Sequence, residues 1–348
     1  MRCLPTLTIA IAATGLGLVT SANAATVCVN TAADLQAALL AAEGSTSATT
    51  IEVARGTYSL GGTELIFTSQ TVGQGQLDIS GGYEYDGGLC SSHVKDPTLT
   101  IFDGQGMNAV FNLQSSQGIS VRYLTIENGD PVHDESGGLT VASSNGGLII
   151  DYNIIRNNSA ILRAAGINVQ IGNASASADI HIDGNLIAGN NSQDLYGAGA
   201  VRNEGTGSIY VTNNTIVDNV SVNSQAGMAV YGSSVAGTAN VSNNIFWGNS
   251  NYDLILLSAP VLVDNDYQTS IGAAGPGSSG NLHVDPLFYS SGNFHLQATS
   301  PLLGAGTLTP AGNLPTIDIE GNPRSYNGFV DMGAYERGEQ IFNDGFEN

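Results

Sequence analysis

Positive charge is scarce in this chain. Its 348 residues hold 9 Lys and Arg against 30 Asp and Glu, a formal net charge of −21, and Lys95 is the single lysine. Phosphate backbones are bound through basic patches, so this composition excludes a nucleic-acid partner. It also argues against an anionic membrane surface. Charged residues of both signs make up only 11% of the sequence, while Gly contributes 45 residues. Few Lys, Glu and Arg among many Gly, Asn, Ser and Thr point away from helices and toward strands and turns. The one tryptophan, Trp247, leaves no room for the Trp-Asp signals of a β-propeller. Five histidines, at positions 93, 133, 181, 283 and 295, lack the spacing of zinc ligands. What is present in quantity is apolar: 42% of the residues are hydrophobic, enough for a large core and too many for a disordered chain.

The ends are distinctive. Arg2 precedes an apolar stretch from Leu4 to Val19, and Ala22-Asn23-Ala24 follows. This reads as a secretory signal over residues 1–24, too short and wrongly flanked for a membrane span. No later stretch is long enough to cross a bilayer. Of the three cysteines, Cys3 belongs to that leader, leaving Cys28 and Cys90. An even pair in an oxidising compartment points to a disulfide rather than two free thiols or a metal site. At the other end, residues 338–348 form an acidic tail with two phenylalanines, placed where a sorting signal would sit.

Between them one pattern recurs: apolar-x-apolar-x-x-Asn-x-apolar-x-x-Asn. Its copies begin at residues 119, 148, 180, 209 and 239, for example Leu148, Ile150, Asn153, Ile155, Asn158 and then Ile180, Ile182, Asn185, Ile187, Asn190. The first copy has Leu124 where the later ones have the first Asn. A second, shorter pattern lies between them, as in Gly138-Leu139-Thr140-Val141 and Gly166-Ile167-Asn168-Val169. A fixed period of this size marks a repeat architecture. Alternation at period 2 makes each apolar pair a strand with one buried face. Asn is placed at the bends, where it tolerates left-handed backbone angles and can bond the next Asn of a stack. One coil cannot bury its inner face alone, but stacked coils make a continuous core. The expected fold is all-β: a right-handed parallel β-helix, a solenoid, with coils about 4.8 Å apart. A short N-terminal capping helix is expected over residues 31–43. Thr31 and Asp34 form its capping box, Leu35, Ala38, Leu39 and Ala42 its apolar face, and Gly44 its stop.

The strand leading into Gly56-Thr57-Tyr58 resembles the opening of secreted pectin-lyase-like β-helices. The other end carries six motifs in order. They are Asn243-Asn244-Ile245-Phe246-Trp247, Val284-Asp285-Pro286-Leu287-Phe288, Asn293-Phe294-His295-Leu296, Ser300-Pro301-Leu302-Leu303-Gly304-Ala305-Gly306, Asp318-Ile319-Glu320-Gly321-Asn322-Pro323-Arg324 and Asp331-Met332-Gly333-Ala334-Tyr335-Glu336. This set resembles the choice-of-anchor Q domain of secreted bacterial β-helix proteins. The resemblance implies a sorting signal after the domain and supplies no defined reaction, so it lends no catalytic residue. Asp-Pro, Ser-Pro and Asn-Pro mark turns, and the short apolar runs between them are expected to cover the last coil. The division that follows is residues 1–24 signal, 25–118 N-terminal cap and first coils, 119–250 repeat coils, 251–337 C-terminal coils and cap, and 338–348 tail.

Aligning the copies puts outward-facing residues in register. One position holds Arg122, Asp151, Asp183, Thr212 and Ser242; another holds Ser120, Ile149, His181, Tyr210 and Asn240. Asp151 and Asp183 then stand on neighbouring coils, with Arg122 one coil below. Two carboxylates so placed suit a Ca²⁺ ion, the one cofactor the sequence suggests, or the acid and nucleophile of a retaining glycosidase. Arg122, Asp151, His181 and Asp183 are therefore the candidate catalytic residues. Read as plain surface chemistry, the same residues are a cross-strand ion pair of Arg122 with Asp151 and a solvated Asp183. The loops leaving the second Asn carry His133, Asp134 and Tyr196, which with Tyr210 are candidates for saccharide binding. The signature residues of polygalacturonases and pectate lyases are absent, as are Gly-x-Ser-x-Gly and His-Glu-x-x-His. The expectation is a monomeric secreted or cell-surface protein with a structural, adhesive or polysaccharide-binding role. The alternative is a divergent lyase or glycoside hydrolase acting on an acidic polysaccharide.

Overall fold

The computed structural model describes residues 24–69, 73–131, 136–194, 196–223, 225–232 and 237–337. Residues 1–23, where the signal was read, and the tail from 338 lie outside them.

Strands from successive coils stack into three long parallel sheets, the right-handed β-helix expected from the repeat. The first sheet runs from Ala25–Val29 through Thr49–Ala54, Leu77–Asp86, Ile119–Arg122, Leu148–Asp151, Ile180–Asp183, Ile209–Thr212 and Ala239–Ser242 to Val261–Val263. The second includes Thr125–Glu127, Ile154–Arg156, Leu186–Ala188, Thr215–Val217 and Ile245–Trp247; the third includes Leu139–Ser143, Ile167–Ile171, Gly199–Asn203 and Met228–Tyr231. Inward residues such as Ile150, Ile155, Val169, Ile182, Ile187 and Val201 are fully buried in one continuous core. Each such side chain contributes about 1.5–3 kcal/mol of burial.

The repeated asparagines form two buried ladders along the stack. Asn153 donates from Nδ2 to Asn185 Oδ1 (3.1 Å), Asn185 to Asn214 (2.9 Å), Asn214 to Asn244 (2.9 Å), Asn244 to Asn265 (2.9 Å) and Asn265 to Asn281 (3.0 Å). The second ladder runs Asn158, Asn190, Asn219, Asn249 and ends on Asp253. The left-handed backbone falls one residue before the first ladder's asparagine, at Tyr152, Gly184, Asn213, Asn243 and Asp264, and at Tyr123 before Leu124. The ladder residue itself therefore serves by its amide, and its neighbour absorbs the bend.

The N-terminal helix spans Ala32–Glu43, with Thr31 Oγ1 accepting from Asp34 N and Leu35, Ala38, Leu39 and Ala42 buried. It also satisfies the edge of the third sheet. Gln36 bonds both the N–H and the carbonyl of Ile66 (2.9 Å each), and Glu43 Oε1 accepts from Thr68 N (2.7 Å). An otherwise open strand edge is thereby paired. Cys28 and Cys90 are bonded, closing 62 residues and tying a hairpin (Leu77–Asp86 with Leu89–His93) to the first strand. A loop of that length corresponds to about 4 kcal/mol in the chain-entropy account.

The C-terminal motifs do more than cover the last coil. From Pro286 to Arg337 the chain turns back as a strap along the outside of the second sheet. Phe294, Ile319 and Ala334 pack on Ile154, Leu186, Ala188 and Val217, while Leu296, Leu302 and Met332 pack on Ile245. From Ile154 to Ile245 the second sheet is thus covered on its outer face as well. Its strands accordingly read as unbroken apolar runs, such as Ile154-Ile155 and Ile245-Phe246-Trp247, where the first sheet alternates. Asp318 acts as a turn former inside the strap, whereas Asp331 ties two of its segments together. Asp318 Oδ1 accepts from Glu320 N and Asn322 N, and Asp331 Oδ1 accepts from Gly304 N.

Candidate functional site

The register of the first sheet brings the four catalytic candidates onto one outward-facing, half-buried strip. Arg122 pairs with Asp151 and Asp151 with Asp183 across neighbouring strands, and His181 lies beside Ile149 and Tyr210. Alternation fixes this: Val121, Ile150 and Ile182 point inward, so Arg122, Asp151 and Asp183 point out.

Arg122 Nε lies 3.3 Å from Asp151 Oδ2, and His181 Nδ1 lies 3.4 Å from Asp183 Oδ2. Asp183 is no solvated surface charge. The side chains of Asp151 and Asp183 are only 14% and 15% exposed. Thr212 pairs with Asp183 across the next rung and is itself buried. Oδ1 of each aspartate is shielded from solvent and has no hydrogen-bond partner, and the same is true of Asp78 Oδ1 and Arg122 Nε. The Arg122–Asp151 contact is therefore a charge contact without hydrogen-bond alignment.

Burial, then the nearby Asp183, pushes the Asp151 carboxyl up to about 8, against the pull of Arg122. Asp183 is raised by burial too, with His181 and Thr212 opposing. Burial alone would lower His181, but its bond to Asp183 and the neighbouring carboxylates outweigh this and raise it. Physically, two buried carboxyls on adjacent rungs each make the other harder to ionise, which the facing Arg122 and His181 partly offset. Two acids whose ionisation is linked in this way suit the donating and accepting of a proton.

Three further groups belong to the strip. Asp78 lies on the preceding strand, opposite Ser120, and is raised by burial with Arg122 opposing. The hairpin inserted after it breaks the repeat spacing, which hides it from the aligned copies. Thr212 stands in the aligned register opposite Asp183, though nothing in a single hydroxyl marks it as part of the strip. The third is the strap loop from Thr307 to Asn313. Gly312 lies so close to the Tyr210 ring that a Cβ there would come within 2.5 Å of it. Asn243 clasps the start of the loop, accepting from Thr307 N (2.7 Å) and donating to Thr307 O (2.9 Å). The loop therefore flanks the half-buried ring of Tyr210, which also meets the His181 ring at 4.8 Å between centroids.

Not all the saccharide candidates converge here. Tyr196 leads into the third sheet and shares a hydroxyl–hydroxyl hydrogen bond of 2.5 Å with Tyr231. It does not join Tyr210, which lies on the first sheet. His133 and Asp134 lie outside the described residues. Among the described residues no three His, Cys, Asp or Glu side chains converge as a metal cluster. Asp151 and Asp183 alone supply far fewer oxygens than the six to eight Ca²⁺ takes. No described helix is long and apolar enough to cross a membrane.

No protein-family model matches the sequence, and no curated protein matches it. Among solved structures, the chain is similar to pectate lyase Pel9A at 14% identity, over 90% of this chain and 96% of that one, with a TM-score of 0.28. A likeness that slight carries nothing about activity.

Proposed function

We propose that this is a secreted or cell-surface β-helix protein that binds polysaccharide along the outer face of its first sheet. The observation that carries this is the strip itself. Polar and aromatic side chains, Arg122, His181, Tyr210 and Asn240, are held in register on rigid rungs, with a strap loop alongside. An extended chain of sugars suits such a linear, repeated surface, where stacking on a ring and bonds to fixed polar groups act together. The ordered C-terminal motifs support the choice-of-anchor Q reading, and with it export and a sorting role for residues 338–348. A Ca²⁺ ion between Asp151 and Asp183 would have to take its remaining oxygens from the bound glycan.

A second reading, cleavage of the bound glycan, is favoured by one observation: the buried Asp151 and Asp183 side chains on adjacent rungs with His181 beside them. The test is a polysaccharide panel scored for retention, reducing ends and unsaturated products, with and without Ca²⁺. The expected outcome is retention without turnover, weakened about tenfold (about 1.4 kcal/mol) in Tyr210→Ala. Turnover that disappears in Asp183→Ala and survives in Tyr196→Phe would replace binding by catalysis. Neither retention nor turnover on any polysaccharide would sink both readings.

A further inference from the structure

We infer that the glycan taken by this strip is neutral and hydroxyl-rich, and that polyuronates and sulfated chains are rejected. This rests on the reading of the strip as a glycan-binding surface. The inference comes from counting which charges are already engaged.

Two basic side chains stand on these rungs, and each faces an acidic one: Arg122 at 3.3 Å from Asp151 and His181 at 3.4 Å from Asp183. A third acid, Asp78, sits on the other side of Arg122 and interacts with it electrostatically. The strip therefore has three acidic side chains for two basic ones. Recognition of a carboxylate or sulfate uses a guanidinium fork free to bind in two places. Here Nε of Arg122 is turned toward Asp151 and shielded from solvent. An anionic sugar that reached the guanidinium would meet the acids Asp151 and Asp78 on either side of it. The next rungs add no cation: Ser120, Tyr210, Thr212, Asn240 and Ser242 are all uncharged. Carboxylates accept hydrogen bonds only, whereas hydroxyls and amides accept and donate. A neutral sugar hydroxyl can satisfy either kind of partner. An anionic group has no proton to give a carboxylate. The surrounding charge has the same sign, with 30 acidic residues against 9 basic, so long-range forces repel polyanions as well.

The experiment is native affinity electrophoresis of the full chain at low salt with chelator present. Galactomannan, β-galactan and mixed-linkage β-glucan are compared with polygalacturonate and alginate at equal mass. At least one neutral glycan is expected to retard the protein, and neither polyuronate. Asp151→Asn keeps the shape of the side chain but frees Arg122, so it is expected to gain polyuronate retention about tenfold. Retardation of the wild-type protein by a polyuronate, at or above that of every neutral glycan, would overturn the inference while leaving glycan binding intact. Failure of Asp151→Asn to gain any polyuronate retention would show that engagement of Arg122 is not what excludes anions, and would also overturn it. Retardation by none of the five would overturn glycan binding itself, and this inference with it.

Discussion

Asn214→Ala is expected to destabilise the protein by about 4 kcal/mol, near the top of what single substitutions do. The amide sits mid-ladder and is fully buried. Its Nδ2 donates to Ile182 O (2.7 Å), Thr212 O (3.2 Å) and Asn244 Oδ1 (2.9 Å). Its Oδ1 accepts from both the backbone N–H and Nδ2 of Asn185 (2.9 Å each). Alanine removes all five bonds and leaves the backbone N–H of Asn185 buried without a partner, while Asn185 Nδ2 keeps Ile150 O. Such orphaned groups cost about 1–3 kcal/mol each before relaxation. Asn281 ends the same ladder, half-buried, donating only to Leu262 O. Asn281→Ala is therefore expected to cost only about 1–2 kcal/mol, since water can replace part of what is lost. Denaturant midpoints of the two variants give the comparison. Equal losses would mean that the ladder is not cooperative along the stack.

The second large effect is expected at Arg324. This guanidinium is 1% exposed, yet it belongs to the strap. It donates to the carbonyls of Gly333 (3.0 Å) and Ala334 (2.7 Å) and stands 3.6 Å from Glu336. It thereby folds the strap's last turn onto the second sheet, where Ala334 N reaches Thr215 Oγ1 and Asn213 Nδ2 reaches Asp331 O. Burial and the neighbouring Asp331 push Glu336 up to about 8 despite Arg324. Arg324→Met should cost about 3–5 kcal/mol, because the two charge-assisted bonds to buried carbonyls are lost at about 1.5–3 kcal/mol each. The loss should be local first: the strap comes loose and uncovers Ile154, Leu186 and Val217, while the coils persist. Limited proteolysis should cut within residues 286–337 at a denaturant concentration where the coils still resist. A single cooperative transition with no early cut would show that strap and coils unfold as one.

Much of the fold was legible because the coils obey a simple alternation. The aligned copies gave the register of Arg122, Asp151 and Asp183 directly, since a period-2 strand with a buried face has only one workable register. The asparagines announced their ladders by recurring with the coil. The strap was less legible. Asp-Pro and Ser-Pro correctly marked turns, but turns do not say where a chain goes afterwards. The clue lay elsewhere, in the apolar residues at outward positions of the second sheet, such as Leu186 and Val217, which require a cover. Asp78 escaped because a hairpin interrupts the repeat after it. The burial of Asp151 and Asp183 also escaped, because the strand pattern gives the direction of a side chain and not what shields it.

The central claim is that a glycan lies along the first sheet beside the strap loop. Hydrogen–deuterium exchange with a retained oligosaccharide tests it most directly. Bound sugar is expected to slow exchange in residues 119–122, 148–151, 180–183 and 209–212 and in the loop 307–313, leaving the third sheet unchanged. Protection confined to the third sheet around Tyr196 and Tyr231, or no change at any strand despite saturation, would contradict the account.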